Sequence, residues 1–284
     1  MPLAAIRAKT LCGLLLCALM GAPAAYAQIT VPGNLAREQV AQPGETYTGE
    51  ITVRNVSSED QRAELEVVDY MFHADGTKEY PEPGTLERSN AEWLDLEAEE
   101  LEVAANESTD VEYSVTVPAD GELSGTYWCV ILAAPVVEST FDPERGAVGI
   151  TPSTRYAVQM ATHIGDTGSR RLNFFDTSVE WREGEPEVHV SVENAGERYL
   201  RAGMYLEAYS TQGEYIGRFQ GSRYRLYPGT ARRFRVPMPE VEPGEYRVQV
   251  VADAGGENLF GANYTLEISK PEPKPEEPDE SKAE

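Results

Sequence analysis

The sequence repeats itself once, weakly, and this repeat limits what the chain can fold into. Four landmarks recur in the same order: an Asn after an alternating apolar run, a Gly in a turn, a Pro after another run, and a Gly-x-Tyr. The four pairs are Asn55 with Asn194, Gly76 with Gly213, Pro118 with Pro239 and Gly125 with Gly244. The first two pairs are separated by 139 and 137 residues and the last two by 121 and 119, so the first copy carries roughly 16 extra residues in its middle.

Each copy consists of short runs in which apolar and polar residues alternate, separated by turn-forming residues. This alternation predicts β-strands, because successive side chains of a strand point to opposite faces of its sheet. About 100 residues of such strands make one immunoglobulin-like sandwich. We therefore predict an all-β protein of two tandem immunoglobulin-like β-sandwich domains, with no helix of substantial length.

Composition at the two ends limits the predicted domains. Residues 1–27 have the positive start, short apolar core and small-residue cleavage site of a signal peptide. Residues 269–284 are rich in Pro, Glu and Lys, which predicts a disordered tail. The first sandwich is placed at 28–166 and the second at 167–268. We expect an exported protein, periplasmic or at the cell surface or outside the cell, with no transmembrane segment because the apolar run of the signal is too short to span a membrane.

No set of residues in the sequence indicates catalysis. The three histidines, His73, His163 and His189, are far apart, and the mature chain keeps a single cysteine, Cys129, inside an apolar run. A lone cysteine permits neither an intrachain disulfide nor a Cys-based metal site, and we expect it to be a small buried hydrophobe. Phosphate-binding, dinucleotide-binding and serine-hydrolase motifs are missing. We predict a non-enzymatic protein with no catalytic residues, no cofactor and no metal.

Charge is distributed unevenly along the chain. The formal net charge is −24, and residues 28–166 hold 27 acidic and 7 basic side chains. Such acidity excludes nucleic acid as a partner, because the phosphate backbone would be repelled. Two explanations stay open: adaptation of an exported surface to a saline habitat, or attraction of a cationic partner.

The second copy contains the opposite feature, a cluster of arginines and aromatics that we call the Arg stripe. It predicts either an interdomain or self-association contact with the acidic first domain, a groove for an anionic ligand, or a solvated surface, because Arg grips carboxylate and phosphate bidentately. The candidate binding surface comprises Arg218, Arg223, Arg225, Arg233, Arg235, Tyr224 and Tyr227; Arg232 lies within the same segment.

The extra residues of the first copy are placed at 81–98. They include Ser89-Asn-Ala-Glu-Trp93 followed by Leu94. A large aromatic beside a leucine in a polar insertion predicts an anchor, so we expect Trp93 and Leu94 to fix this insertion on the sandwich.

One stretch of the first copy resembles a known family. It contains Pro118-Ala-Asp-Gly-Glu122, Ser124-Gly-Thr-Tyr-Trp128 and Pro135. This stretch resembles the proline, acid, serine, aromatic and tryptophan signature of periplasmic chaperones of pilus assembly. The chain is also similar to the peptidoglycan-binding module of WxL-interacting proteins and to related uncharacterised exported bacterial domains, in the segments Pro43-Gly44, Val53-Arg-Asn55 and Gly125-Thr-Tyr127.

The chaperone resemblance implies donor-strand complementation, in which a strand of the chaperone completes an unfinished sandwich of its subunit. It also implies a basic pair in the interdomain cleft that holds the terminal carboxylate of the subunit. Arg37 and Arg155 are the candidates for such a cleft. No Lys lies in the interdomain region, and Cys129 replaces the usual Asn after the Trp, so the carboxylate site of the family is not carried over as a whole.

These observations predict a binding or assembly module at the bacterial cell envelope, acting through its β-sandwich surfaces. Its partner is expected to be a protein subunit or a cell-envelope polymer. The alternative is a periplasmic pilus-type chaperone that holds an extracytoplasmic subunit by β-strand addition.

Overall fold

The computed structural model describes residues 29–136 and 153–270, together with two short strands at 141–142 and 147–148. The predicted signal peptide and nearly all of the predicted tail lie outside the described residues. Within these ranges the chain is built from strands, and the only helix is a single 3₁₀ turn at Ala91–Trp93. No helix of the described ranges is long and apolar enough to cross a membrane.

The first half of the chain forms a sandwich of two sheets. Its four-stranded sheet has the order β1-β3-β9-β7, and its five-stranded sheet has the order β2-β13-β10-β4-β8. The pairs β5-β6 and β11-β12 are separate hairpins. The strands are β1 (Ile29–Thr30), β2 (Ala36–Ala41), β3 (Thr46–Asn55), β4 (Gln61–Val68), β5 (Met71–Phe72), β6 (Lys78–Glu79), β7 (Leu94–Leu96), β8 (Glu100–Val103), β9 (Ser108–Thr116), β10 (Gly125–Pro135), β11 (Phe141–Asp142), β12 (Ala147–Val148) and β13 (Tyr156–Ile164).

The second half forms a second sandwich, again of two sheets. A three-stranded sheet has the order β14-β15-β18, and a four-stranded sheet has the order β17-β16-β19-β20. The strands are β14 (Leu172–Arg182), β15 (Glu185–Asn194), β16 (Leu200–Ser210), β17 (Tyr215–Leu226), β18 (Ala231–Pro237), β19 (Gly244–Asp253) and β20 (Leu259–Ile268). The predicted all-β fold of two tandem immunoglobulin-like sandwiches is confirmed.

Each sandwich has its own core, formed by the apolar members of its alternating strands. In β18, Phe234 and Val236 are fully buried while Arg235 between them is exposed, as the alternation predicts. The core of the first sandwich includes Ile51 and Ile131. Burying a side chain of this size stabilises the fold by about 1.5–3 kcal/mol, so both sandwiches depend on these alternating positions.

Strand β10 is buried on both faces, which explains why its sequence is apolar throughout. Cys129 and Ile131 face the core of the first sandwich. Trp128 and Val130 face the other way, into a separate apolar cluster that also contains Tyr227 of the second sandwich. The second sandwich therefore covers the outer face of this strand, and the prediction that Cys129 is a small buried hydrophobe is confirmed.

The insertion at 81–98 contributes the 3₁₀ turn and also strand β7, which the sequence did not predict. Strand β7 pairs with β9 and so extends the four-stranded sheet. The ring centroid of Trp93 lies 4.7 Å from that of Tyr127, and Leu94 packs on the core of the first sandwich. The prediction that Trp93 and Leu94 anchor the insertion is confirmed.

Candidate functional site

The two sandwiches meet through an aromatic stack. The ring of Tyr227 lies parallel to that of Trp128, with centroids 4.4 Å apart. The Tyr227 hydroxyl donates a hydrogen bond of 2.9 Å to Oε1 of Gln159. Tyr227 is fully buried, so its predicted place on an exposed binding surface is wrong. The sequence pattern could not separate an aromatic that contacts another domain from one that contacts a ligand.

Backbone contacts fix the same joint. The Thr126 N–H donates to the Glu197 carbonyl at 2.8 Å, and the Tyr199 N–H donates to Oγ1 of Thr126 at 2.9 Å. Gly125 has a positive φ of 76°, and an added Cβ would collide with the same Glu197 carbonyl oxygen. Only glycine allows both the conformation and the close approach.

The insertion of the first sandwich adds a polar clamp to this joint. Its residue Arg88 donates to the Ser124 carbonyl at 2.8 Å and to Oε1 of Glu197 at 2.9 Å. The insertion itself is held by the buried carboxylate of Asp69, which accepts hydrogen bonds from the Leu86 N–H and from the Ser89 hydroxyl. The 81–98 segment therefore helps to set the angle between the sandwiches.

A buried histidine connects the joint to the surface. Oγ1 of Thr126 accepts the Tyr199 N–H and lies 2.9 Å from Nδ1 of His163. The other ring nitrogen of His163, Nε2, faces Oε2 of Glu38 at 3.9 Å. The neighbouring His163 side chain lowers the pKa of Glu38, and Nε of Arg225 lies 3.4 Å from its Oε1.

A cleft of about 500 Å³ opens beside Glu38, between the two sandwiches. One wall is formed by β2, β13, the beginning of β3 and the end of β9, and the other by the beginning of β16 and the end of β17. Three arginines line the cleft: Arg37 from the first sandwich, and Arg201 and Arg225 from the second. Glu38 is the one carboxylate among the lining residues. Three guanidinium groups against one carboxylate suit an anionic ligand, above all a carboxylate that can accept two parallel hydrogen bonds.

Of the two arginines predicted for the cleft, only one lines it. Arg37 lines the cleft, whereas Arg155 is exposed just before β13 and is not among the lining residues. Arg201 was missed, because it lies outside the Arg stripe at the start of an ordinary alternating strand. The register that pairs Arg201 with Arg225 across β16 and β17 brings the two together, and only the fold reveals it.

The edge of the five-stranded sheet runs along this cleft. Strand β2 pairs in parallel with β13 on one side, and no described strand pairs with its other side. The carbonyls of Leu35 and Ala41 accept hydrogen bonds from the β13 side, so the two-residue period of a strand turns the backbone groups of Ala36, Glu38 and Val40 outward. Of these, Ala36 is capped by the Asn34 side chain. The outward N–H groups of Glu38 and Val40 make no hydrogen bond to described residues.

The arginines of the Arg stripe contact different partners. Arg225 reaches Glu38, and the guanidinium of Arg232 lies 3.9 Å from the ring centroid of Phe72, so both contact the first sandwich. Arg233 instead pairs with Asp176 of its own sandwich at 3.4 Å. The interdomain interpretation thus describes only part of the stripe.

The remaining stripe residues stay within the second sandwich. Arg218 lies 3.6 Å from the ring centroid of Tyr205 and 3.9 Å from Glu207. Arg223 lies over Gly203, and Arg235 is exposed on the outer face of β18. Tyr224 is half-buried against Phe234. The stripe is not one continuous surface, because neighbouring strand residues face opposite sides of the sheet.

The cysteine and two of the histidines are buried within the fold. Burial raises the pKa of the Cys129 thiol, and Nε2 of His189 bonds to Glu187 at 2.7 Å. His163 and His189 are both buried strand residues. Among the described residues, no group of three or more His, Cys, Asp or Glu side chains could hold a metal ion.

Comparison with known proteins gives similarity in fold. No family model matches the chain, and no curated protein is detectably similar in sequence. Among solved structures, it is similar to a chain of the chaperone–tip adhesin complex of CFA/I fimbriae biogenesis (10% identity, 84% of this chain and 98% of that one, TM-score 0.45). It is also similar to a chain of the chaperone–tip subunit pre-assembly complex CsuC–CsuE of Acinetobacter baumannii (12%, 83% and 98%, 0.44) and to a chain of the Salmonella enterica SafA pilin complex with the SafB chaperone (14%, 85% and 97%, 0.40). All three are distant in sequence, and none of them assigns an activity to this chain.

Proposed function

We propose that this protein holds an extended segment of another extracytoplasmic protein by adding it to the open edge of β2, with the end of that segment in the arginine-lined cleft. One observation carries the proposal. A cleft of about 500 Å³ lined by Arg37, Arg201 and Arg225 adjoins a strand edge that has unpaired backbone groups. Such an edge and such a cleft recognise two parts of one ligand.

The edge supplies affinity that does not depend on the sequence of the partner. An incoming strand bonds to outward backbone groups, while alternate side chains of the ligand read the surface on either side. The exposed Val40 offers an apolar contact there. Globular proteins normally cover or charge such edges because they invite pairing with other chains. Glu38 blunts this edge only in part, since its carboxylate is engaged by Arg225.

The cleft supplies recognition of the C-terminus, because it distinguishes the end of a ligand chain from its middle. A backbone carboxylate carries a full charge that an internal peptide group lacks, and arginine binds it with two charge-assisted hydrogen bonds. Arg37 and Arg201 form no ion pair with described residues, so their guanidinium groups are available to a ligand. Because the arginines come from both sandwiches, the rigid joint determines their spacing.

Strand addition is the narrower of the two functions that the sequence suggests, and the geometry favours it over general envelope binding. A surface that binds a polymer needs no open strand edge beside a cleft that fits one chain terminus. The proposed setting is the periplasm or another extracytoplasmic compartment. The function needs no covalent chemistry.

The test compares two forms of one peptide. The probe is a peptide with alternating apolar residues, long enough to pair with all six residues of β2, made with either a free C-terminal carboxylate or a C-terminal amide. We expect the carboxylate form to bind about tenfold more tightly than the amide, as loss of one charge-assisted contact implies. Isothermal titration calorimetry measures both affinities.

Variants then assign the effect to the cleft. Arg37→Gln and Arg201→Gln are each expected to abolish the preference for the carboxylate form, whereas Arg247→Gln, at the far end of the second sandwich, leaves it unchanged. Equal affinity of the two peptide forms for the wild-type protein contradicts the proposal, and so does a preference that survives in Arg37→Gln and Arg201→Gln.

A further inference from the structure

A second depression lies on the outer face of the four-stranded sheet of the second sandwich. It has a volume of about 380 Å³ and lies at the end of the sheet far from the joint. It is lined by Tyr209 from β16, by Arg247, Val248 and Gln249 from β19, and by Asn263, Tyr264 and Thr265 from β20. It shares no residue with the interdomain cleft.

The register of the sheet arranges these side chains in two rows. Gln249 lies directly opposite Asn263. In the next row Arg247 lies between Tyr209 and Thr265. Directly opposed residues have Cβ atoms about 4.5–5.5 Å apart. The amides of Gln249 and Asn263 and the hydroxyl of Thr265 are therefore close enough to contact one ligand ring.

The polar groups around the depression are not used by the fold. Arg247, Gln249, Asn263 and Thr265 make no side-chain hydrogen bond or ion pair with described residues. The outer face of the neighbouring three-stranded sheet is different, since Arg233 pairs with Asp176 there. Charged side chains on the outer face of the three-stranded sheet therefore pair with each other. Those around the depression on the four-stranded sheet do not pair with described residues.

The Tyr209 ring at the depression is held in place. The Tyr209 hydroxyl donates to Oε2 of Glu207 at 3.2 Å, and Oε1 of Glu207 lies 3.9 Å from Nη1 of Arg218. Arg218 in turn lies over the ring of Tyr205. A ring that is ordered before binding loses little entropy when a ligand packs on it.

We infer that this depression binds a carboxylated saccharide, such as a uronic acid unit of an envelope polysaccharide. Sugar hydroxyls are both donors and acceptors, and so are the amides of Gln249 and Asn263 and the hydroxyl of Thr265. The flat apolar face of a sugar ring packs on an aromatic such as Tyr209. Arg247 is an unpaired cation in a chain of net charge −24, and it selects for a carboxylate on the ligand.

A peptide fits the same place poorly. Strand β19 is paired on both sides, with β16 and β20, so the floor of the depression has no free backbone groups for strand addition. Val248, the apolar residue between Arg247 and Gln249, points into the core and is 2% exposed. A peptide usually needs an apolar socket for an anchor side chain, and the lining residues Val248 and Tyr264 pack on the core instead of forming one.

Calorimetric titration of the whole protein with oligogalacturonate, and with a neutral oligosaccharide of the same length, tests this inference. We expect the acidic sugar to bind about tenfold more tightly than the neutral one, as one charge-assisted contact implies. Arg247→Gln should remove that preference. The double variant Gln249→Ala with Asn263→Ala should weaken binding of both sugars.

The matched control is Arg37→Gln, which changes the interdomain cleft and should leave sugar binding unchanged. The site is separate from the proposed peptide site, and the titration uses no peptide, so failure of one proposal leaves the other standing. The inference is overturned if the acidic sugar shows no binding at millimolar concentration, or if its affinity is the same for wild-type protein and Arg247→Gln. Equally tight binding of an acidic peptide, lost in the same variants, also overturns the assignment to a saccharide.

Discussion

At the scale of the residue, one asparagine closes the same turn in each sandwich. Nδ2 of Asn55 donates to the carbonyls of Glu59 and Val103, and Oδ1 accepts the Ser57 N–H. Asn194 repeats this pattern with its own neighbours: its Nδ2 donates four residues ahead and to the end of another strand, and its Oδ1 accepts the N–H two residues ahead. The asparagine repeated in the sequence therefore forms the same hydrogen-bond network in both sandwiches.

Asn194→Ala removes three hydrogen bonds and leaves the buried carbonyl of Leu226 without this donor. Each buried polar group left unsatisfied costs about 1–3 kcal/mol, so we expect a loss of about 3 kcal/mol in the free energy of unfolding. Urea denaturation measures it. Asn263→Ala is the control, because this exposed side chain makes no hydrogen bond to described residues, and it should change stability by less than about 0.5 kcal/mol. Equal effects of the two variants would show that the network is unimportant.

The pKa of Glu38 makes the joint sensitive to acid. The neighbouring His163 side chain, with further contributions from Tyr199 and Arg225, holds this pKa below the ordinary value of 4.5. A carboxyl group with a lowered pKa in the folded state stabilises the fold above the unfolded value, and this contribution disappears as the pH falls through the folded value. The stability advantage of wild-type protein over Glu38→Gln should therefore be present at neutral pH and shrink in acid well below pH 4.5. Urea denaturation at both pH values measures the two differences, and an advantage that does not change with pH contradicts this role.

Residue roles could be predicted where one strand determines them. Alternation correctly gave the buried Phe234 and Val236, and the apolar run correctly gave the buried Cys129. Arg201 and Tyr227 escaped, because their partners lie on other strands or in the other sandwich. The sequence shows which side chains are present, but the pairing register of the strands determines which side chains contact each other.

At the scale of the element, β2 is the strand on which the proposed function depends. It is six residues long, lies at a sheet edge and turns alternate backbone groups outward. Its sequence, with two charges and a glutamine, gives little sign of a strand. The apolar run around Cys129 is visible in the sequence of β10, whereas β7 was missed because it is only three residues long. Short edge elements owe their structure to the sheet rather than to their own sequence.

Val40→Pro tests the edge without disturbing the sheet. The N–H of Val40 points outward, and proline is tolerated on an edge strand where its missing N–H would face solvent. We expect Val40→Pro to fold but to bind the carboxylate peptide about tenfold more weakly, through loss of a ladder hydrogen bond and a clash with the added strand. Val40→Ala removes the same side chain and keeps the N–H, so it should bind nearly as well as wild type. Equal weakening in both variants would mean that the side chain, and not the strand edge, is recognised.

At the scale of the whole molecule, the two sandwiches act as one unit. The stack of Tyr227 on Trp128, the backbone bonds around Thr126 and the clamp of Arg88 on Glu197 all cross the boundary. The repeat predicted two sandwiches but not their mutual orientation, which depends on contacts that no single copy encodes. The division between an acidic first half and an arginine-rich second half did indicate contact, and Arg225 with Glu38 is one such contact.

Tyr227→Ala should uncouple the sandwiches. Removing a buried aromatic costs about 3–5 kcal/mol, and we expect the thermal unfolding of the variant to separate into two transitions. Tyr227→Phe loses only the hydrogen bond to Gln159, about 1 kcal/mol, and should keep one transition. Differential scanning calorimetry distinguishes them. A single unchanged transition in Tyr227→Ala would show that the aromatic stack does not couple the two halves.

Hydrogen exchange of the whole protein, with and without the carboxylate peptide, tests strand addition most directly. The unbonded outward amides of β2, those of Glu38 and Val40, should exchange rapidly in the free protein and slowly in the complex, because an added strand bonds to them. Protection confined to β2 and the residues of the cleft is the predicted result. Binding of the peptide with no added protection at Glu38 and Val40 would contradict the account.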